Sequence, residues 1–362
     1  MPKFTGSDMK KRLLSLFLIF VSLFLFSCKS VTDTSFTTTT RNADEAILLS
    51  NLDTIFEDAA DISNIYGISV YKNDEFIASE FYGLTTKESK NNVYSVTKSI
   101  TSLLLGIAID MEYIESVDQT IGDFIDLSSY ENQEVLSTIT IKNLITMSAG
   151  LVWDSSDLAK EMSELRMAED PVALILDRDI EYTPGTNFNY SDGAAHLMSI
   201  IISQATGMSA HDFAKEYLFT PLSIFNTIWN TDRLDNNIGG CDLYLSHEDM
   251  YKIAKLVLNR GEYEGTRIVS ATWIDESTAT QIPVDYATDY GFYWWITSPG
   301  DQKRISARGW GGQQIYIVPE ENIIVITSAD GWVSSNIAQT QFTALLSVAE
   351  NQIIPLLTSY DD

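Results

Sequence analysis

Ser95 and Lys98 stand three residues apart in Asn92-Val93-Tyr94-Ser95-Val96-Thr97-Lys98-Ser99-Ile100. The stretch that follows, Ile100 to Met111, is almost wholly apolar, with Asp110 its only charge. That pattern predicts a buried helix. At helical spacing the two side chains share one face, one turn apart. Ser95 falls in the first turn, where free backbone N–H groups and the helix dipole favour negative charge. A serine hydroxyl becomes a nucleophile only when a base takes its proton. A lysine is such a base only when burial or a neighbouring cation lowers its pKa. The spacing has a plainer explanation, an N-capping serine followed by a snorkelling lysine. Another copy, Ser7–Lys10, lies in a leader-like segment and has no such context.

Three further stretches bear on this choice. Ile139 to Leu151 reads as a capped helix ending at the glycine Gly150. Thr183-Pro184-Gly185-Thr186-Asn187-Phe188-Asn189-Tyr190-Ser191-Asp192-Gly193 reads as a turn, a short extended piece and a helix start. Tyr190 there is either a buried phenol bonded to backbone or a general base. A phenol titrates near 10 in water, so the second role needs a cation nearby, and Lys98 supplies one. The third stretch is Ala307-Arg308-Gly309-Trp310-Gly311-Gly312-Gln313, which runs into a strand. A strand follows it rather than a helix, and no Gly-Lys-Ser/Thr closes it, so it is not a phosphate cradle. Its glycines either let a ligand lie against the backbone or form a β-bulge. In the first case a main-chain N–H pairs with that of Ser95 to hold an oxyanion.

Other base systems find little support. The three histidines are His196, His211 and His247. None pairs at zincin spacing, no Cys/His cluster offers metal ligands, and no G-x-S-x-G elbow surrounds Ser95. Lysine plus tyrosine is the base system that remains, with no cofactor and no metal expected.

The elements that must position these residues are legible in outline. A helix is predicted over Asp44 to Glu57, and strands over Tyr66–Tyr71 and Glu75–Tyr82 around the turn Lys72-Asn73-Asp74. The Ser95 helix follows, then mainly helical segments to about Phe225: Thr140–Met147, Asp170–Leu176, Ala194–Ala205 and His211–Leu218. Strand patterns return at Gly291–Ile296, Gln313–Val318 and Ile323–Ser328, and a last helix spans about Asn336 to Leu356. Strands at both ends with helices between them imply an α+β fold, one antiparallel sheet split by a helical insertion. There is no internal repeat.

Upstream, Lys10-Lys11-Arg12, the apolar run Leu13 to Phe26 and then Ser27-Cys28 read as a secretory signal over residues 1–28. Leu25-Phe26-Ser27-Cys28 resembles the lipobox of bacterial lipoproteins, in which the cysteine is acylated. The alternative is a plain cleaved signal with an incidental cysteine. Val31 to Thr40 holds seven Ser/Thr in ten residues, within a flexible tether over 29–43. The expected location is therefore the cell envelope, periplasmic or at the outer surface, with a lipid on Cys28 anchoring the chain in the membrane. Only Cys241 remains as a second cysteine, so stability must come from the core rather than a disulfide.

The chain has 23 basic and 50 acidic residues, a net charge of −27. Removing residues 1–27 takes Lys3, Lys10, Lys11, Arg12 and Asp8, leaving 19 and 49, a net of −30. Such a surface repels nucleic acid and anionic headgroups, and nucleic acid is not an expected partner.

The order of motifs is familiar. Ser95-Val96-Thr97-Lys98, Thr146-Met147-Ser148-Ala149-Gly150-Leu151 and Pro184 through Asp192 together resemble the serine β-lactamase-related family. That family includes class C β-lactamases, D-alanyl-D-alanine carboxypeptidases and family VIII esterases. Thr206-Gly207-Met208-Ser209 with Pro221-Leu222 is similar too, as is Tyr290-Gly291-Phe292-Tyr293-Trp294-Trp295. The last, with Gly309 to Gln313, most resembles the branch of 6-aminohexanoate-dimer hydrolases and related carboxylesterases. The resemblance implies a β-lactamase/transpeptidase-like domain over 44–360, an antiparallel sheet flanked by N- and C-terminal helices. A helical lobe occupies about 96–225, and the site lies in the cleft between sheet and lobe. It implies Ser95 as the acylated nucleophile, Lys98 as its activating partner and Tyr190 as the proton shuttle. It also implies an oxyanion hole from the backbone N–H groups of Ser95 and Trp310, and Tyr94, Asp192, Gly309, Gly311 and Gly312 as substrate-binding positions.

Two departures bear on substrate. The tyrosine motif of the family usually ends in asparagine, where this chain has Asp192. The Lys-Thr-Gly triplet that helps true β-lactamases bind a substrate carboxylate is absent, leaving Arg304 or Arg308 to replace its charge. The expected activity is thus a serine hydrolase for small esters or amides. The alternatives are a cell-wall D-alanyl-D-alanine carboxypeptidase or β-lactamase, and a non-catalytic surface binding lipoprotein of the same fold.

Overall fold

A computed structural model describes residues 43–154 and 157–360. The signal and lipobox with Cys28, and nearly all of the tether, lie outside the described residues. The chain from Ile47 onward forms one compact unit.

The first helix, α1 (Ala43–Ala59), buries Leu48, Leu52, Phe56 and Ala59, a spacing of one face. The hairpin of β1 (Ile65–Lys72) and β2 (Glu75–Phe81) follows, turning at Asn73 and Asp74, both in the left-handed region. The Ser95 helix α2 (Val96–Asp110) is buried from Val96 to Ala108. After it come α3 (Ile141–Ile145), α4 (Leu158–Met167), α5 (Pro171–Leu176), α6 (Asp192–Thr206) and α7 (His247–Leu258). The sheet resumes with β3 (Ile282–Pro283), β4 (Thr288–Tyr290), β5 (Trp295–Thr297), β6 (Arg304–Gly309), β7 (Gln313–Val318) and β8 (Ile323–Ala329). Helix α8 (Ser335–Ser347) and two further helical turns to Thr358 close the described chain.

The eight strands form one antiparallel sheet in the order β2-β1-β8-β7-β6-β5-β4-β3. The N-terminal hairpin therefore pairs with the last strand, Ile68 opposite Thr327. Period-two alternation sends the strands' side chains into two cores. Ile315, Ile317, Ile324 and Ile326 join the large core with α2 and α6. Tyr316, Val318, Ile323 and Val325 join a smaller one with α1 and the C-terminal helices. The sheet is thus covered on both faces.

One local reading changes, and one helix was not predicted. Gly291–Ile296 is not one strand, because Gly291 to Trp294 is a turn between β4 and β5, closed by the Gly291 N–H to Trp294 C=O bond. A side chain at 291 would collide with the Ser277 carbonyl, and Tyr293 takes a positive φ of 63°. Helix α7 was hidden in the polar stretch Ser246-His247-Glu248-Asp249. That stretch is its capping box, Ser246 accepting from the Asp249 N–H and Asp249 from the Ser246 N–H. Helices thus continue past 225 up to Ser277, before the sheet resumes at Ile282.

Candidate active site

Ser95 is held from both sides. Asn91–Asn92 pair with Leu243–Leu245 in a small separate sheet, and the Val93 N–H donates to the Leu243 carbonyl. The chain then passes through Tyr94 into α2, with Ser95 as the N-cap residue. Its hydroxyl makes no capping bond. The plainer explanation of Ser-x-x-Lys therefore fails at this position, since the hydroxyl faces Lys98 instead, at 3.0 Å from Nζ.

Lys98 is 1% exposed. Its ammonium donates to Ser95 Oγ, to Asp192 Oδ1 at 2.5 Å and to the Gly240 carbonyl at 2.8 Å. Those acceptors match its three N–H groups. Burial by itself would lower the lysine pKa, but the Asp192 carboxylate outweighs it, with the Tyr190 oxygen adding to the effect, and the ammonium is held above its ordinary range. Burial beside the apolar helix therefore does not make Lys98 a neutral base, because the same burial brings a carboxylate within bonding distance. Gly240 permits this arrangement, for a Cβ there would sit 2.7 Å from Asp192 Oδ1 and 3.2 Å from Lys98 Nζ.

Asp192 and Tyr190 come from one short segment. Ser191 caps α6 by accepting from the Ala194 N–H, which sets Asp192 in the first turn. The Thr146–Leu151 stretch, read as a helix end, also anchors this segment. The Asn189 N–H donates to the Met147 carbonyl at 2.7 Å, and the Ser191 N–H to Met147 Sδ. Tyr190 stacks on Trp295, ring centroids 5.8 Å apart, and Lys98 Nζ lies 4.8 Å from the Tyr190 ring centre. The phenol interacts with both Ser95 and Lys98. Burial pushes its pKa up, Lys98 offsets part of that, and Asp192 adds to the rise. At rest, Tyr190 is a neutral phenol beside an ammonium.

Two cavities meet at Ser95. One, of about 470 Å³, is lined by Tyr190, Trp295, Arg308, Gly309, Trp310 and Phe342 among others. The second, of about 460 Å³, runs past Tyr94, Met162, Arg166, Cys241, Trp332 and Val333. Ser95 and Trp310 line both. Among the described residues neither the Ser95 nor the Trp310 amide N–H has a protein acceptor. Gly309 ends β6 against the loop before Ser95, where a Cβ would lie 2.4 Å from the Val93 carbonyl oxygen. A glycine there lets the strand edge approach Ser95.

The structure sorts the remaining candidates. Tyr94, Asp192 and Gly309 line the cavities, whereas Gly311 and Gly312 do not. Both are in the β6–β7 hairpin turn at positive φ, Gly311 packed on Gly331 and Gly312 on Leu345. Of the two arginines, Arg308 reaches the first cavity, but its guanidinium pairs with Glu350 at 2.9 Å. Arg304 donates to the Glu350 carbonyl and to Gln302 instead. His196 binds buried Asp232, His211 meets Thr227, and His247 bridges Ser69 and Ser328. None lines either cavity. Sequence reasoning missed Gly240, Cys241, Asp242 and Arg166, and the pair Gly239-Gly240 was the one available signal.

One pH effect follows directly. Asp192 raises the pKa of both Lys98 and Tyr190, and the pair titrates as a unit. Asp192→Asn removes that charge, so the pair loses its proton at lower pH. The acidic limb of a kcat/KM profile is expected to move down by about 1–3 pH units. A limb that stays put or moves up in a pH series with a nitrophenyl ester contradicts this account.

The chain is similar to known proteins over most of its length. The Beta-lactamase family profile matches residues 52–350. A 6-aminohexanoate-dimer hydrolase from Paenarthrobacter ureafaciens is 20% identical over 278 residues, 71% of this chain and 70% of that protein. Protein flp of Staphylococcus aureus (strain MW2) is 24% identical over 189 residues, 49% of this chain; the match spans only 37% of flp. Among solved structures, EstCE1, a hydrolase with promiscuous acyltransferase activity, superposes with a TM-score of 0.68 at 15% identity. That superposition covers 83% of this chain and 99% of EstCE1. The antiparallel sheet with flanking helices is thus a β-lactamase/transpeptidase-like fold.

Proposed function

Because the chain belongs to the Beta-lactamase family, we propose that it is a serine hydrolase that cleaves small esters or amides through an acyl-enzyme on Ser95. The observation that carries this reading is the contact of Ser95 Oγ with Lys98 Nζ at 3.0 Å, in a site where Lys98 also meets Asp192 and Tyr190.

With an ammonium and a phenol at rest, the site has one proton too many. The reactive form is the one in which the Lys98/Tyr190 pair has shed a proton, with the phenolate stabilised by the ammonium. Tyr190 then takes the Ser95 proton as Oγ bonds to the substrate carbonyl carbon. The carbonyl electron pair moves onto oxygen, where the Ser95 and Trp310 N–H groups face it. Collapse breaks the bond to the leaving group, which receives the proton from Tyr190. Water, deprotonated by Tyr190, then attacks the acyl carbon, and the proton returns to Ser95 Oγ. Lys98 acts throughout as a fixed positive charge.

The same logic assigns the two cavities. Tyr190 must protonate the leaving group and lines the first cavity, so alcohol or amine groups belong there, against Trp295 and Phe342. The acyl group belongs in the second, between Tyr94, Met162, Trp332 and Val333. Arg308 and Arg166 are each paired with a carboxylate, Glu350 and Asp242. No unpaired cation is thus offered to a substrate carboxylate by these two arginines, which favours neutral esters and amides over β-lactams and D-alanyl peptides.

The test is intact-protein mass spectrometry after brief exposure to a panel of nitrophenyl esters, anilides and a fluorescent penicillin. Acetyl or longer acyl mass on the Ser95 peptide, with little or no penicillin adduct, is the expected result. A stable penicillin adduct without ester turnover favours the cell-wall reading, and no adduct from any probe favours a binding protein.

A further inference from the structure

The bonds that fix the peptide before Ser95 lead away from it through residues that take no part in the proton transfers. Tyr94 takes a φ of +46°, a conformation that an aromatic residue adopts only under constraint. Its N–H donates to Asn92 Oδ1 at 2.8 Å. The other end of the same amide, Asn92 Nδ2, donates to Asp242 Oδ1 at 2.9 Å. Asp242 in turn accepts from Arg166 Nε at 2.8 Å and Nη2 at 2.9 Å. Asn92 and Asp242 are both buried, 5% and 4% exposed. The amide cannot flip, because that would set its NH₂ against the Tyr94 N–H and its oxygen against the Asp242 carboxylate. The Tyr94 ring is seated on Gly331, where any Cβ would come within 2.6 Å of ring atoms.

The far end of this chain meets the catalytic lysine. Asp242 closes a segment in which the Gly239 carbonyl accepts from Thr101 on α2 and the Gly240 carbonyl accepts from Lys98. One four-residue stretch therefore holds the nucleophile's neighbour on one side and its ammonium on the other. Arg166 compensates the buried charge of Asp242, and Asn92, Asp242 and Arg166 all line the second cavity.

Resting on the reading that Ser95 is the nucleophile, we propose that Asn92, Asp242 and Arg166 are positioning residues that hold Tyr94 left-handed and so aim the Ser95 hydroxyl. They touch no reacting atom. Releasing Tyr94 rotates the Ser95 backbone, and a displacement of about 1 Å at a nucleophile costs on the order of 100-fold in rate.

Asn92→Ala is expected to lower kcat about 10–100-fold per folded molecule, with KM changed by no more than about twofold. Asp242→Ala cuts the same chain, so the double variant falls no further than the worse single one. Should Asn92→Ala fold poorly, Asp242→Asn keeps the shape and the acceptor for Asn92 while losing the charge that faces Arg166. It is expected to show a smaller kcat loss, again without a KM change. A raised KM at unchanged kcat, additive losses, or full activity per folded molecule overturns the proposal. A crystal structure of Asn92→Ala gives a readout independent of turnover: Tyr94 leaves the positive-φ region if the proposal holds and stays there if it does not. If the wild-type protein acylates nowhere, the functional reading fails, while the Tyr94 conformation still decides the positioning claim.

Discussion

Ser95→Ala lowers kcat/KM for a nitrophenyl ester by about 10⁴-fold or more and removes the acyl adduct. The size follows from the absence of a substitute. Among the described residues lining the two cavities, no histidine and no other Ser-x-x-Lys pair offers a second activated hydroxyl. Ser335 lines both cavities, but the three N–H groups of Lys98 go to Ser95, Asp192 and the Gly240 carbonyl, so Ser335 is not activated in the same way. The substitution is mild for the fold. The Ser95 hydroxyl caps no helix, and Lys98 keeps Asp192 and the Gly240 carbonyl when it goes. Thermal unfolding within a few degrees of wild type should therefore accompany the loss of turnover. Residual turnover equal to wild type places the chemistry elsewhere.

Lys98→Met has the second large effect, and it strikes both activity and stability. The ammonium that stabilises the Tyr190 phenolate and the developing Ser95 alkoxide is removed, which costs about 10³-fold or more in kcat/KM. Asp192, 3% exposed, is left as a buried carboxylate without its cation, and breaking such a pair costs about 3–5 kcal/mol of stability. The two losses separate in the double variant Lys98→Met/Asp192→Asn. With both charges gone, most of the stability returns, since replacing a buried pair by neutral groups is often close to neutral. Activity does not return. Chemical denaturation and steady-state kinetics on the three proteins measure both. Recovery of turnover in the double variant means that Lys98 serves only to neutralise Asp192.

Lys98 also marks where sequence reasoning stopped. The Ser95–Lys98 spacing, the apolar run behind it and Tyr190 after a Pro-Gly turn are local patterns, and each places a residue on an element. Charge state is not local. Whether Lys98 is an amine or an ammonium depends on Asp192, 94 positions away, and on the carbonyl of Gly240, 142 positions away. The same holds for the helix end at Thr146–Leu151, whose left-handed Met147 and free carbonyls serve the Tyr190 segment. Helix α7 was not predicted, although its capping box and the buried spacing Met250, Ile253, Ala254, Val257 are both local signals.

The sequence by itself determined the antiparallel sheet interrupted by helices, the Ser95 helix and the co-ordered motifs that mark the family. It could do so because strand and helix periodicity and turn chemistry are written in neighbouring residues. The tertiary structure alone decided which arginines remain neutralised, which glycines face the cleft, and how Tyr94 is held in a strained conformation beside Ser95. Those properties are set by contacts between segments far apart in the chain. Neither spacing nor composition encodes the distance from Asp242 to Asn92, yet that distance fixes the direction in which the serine points.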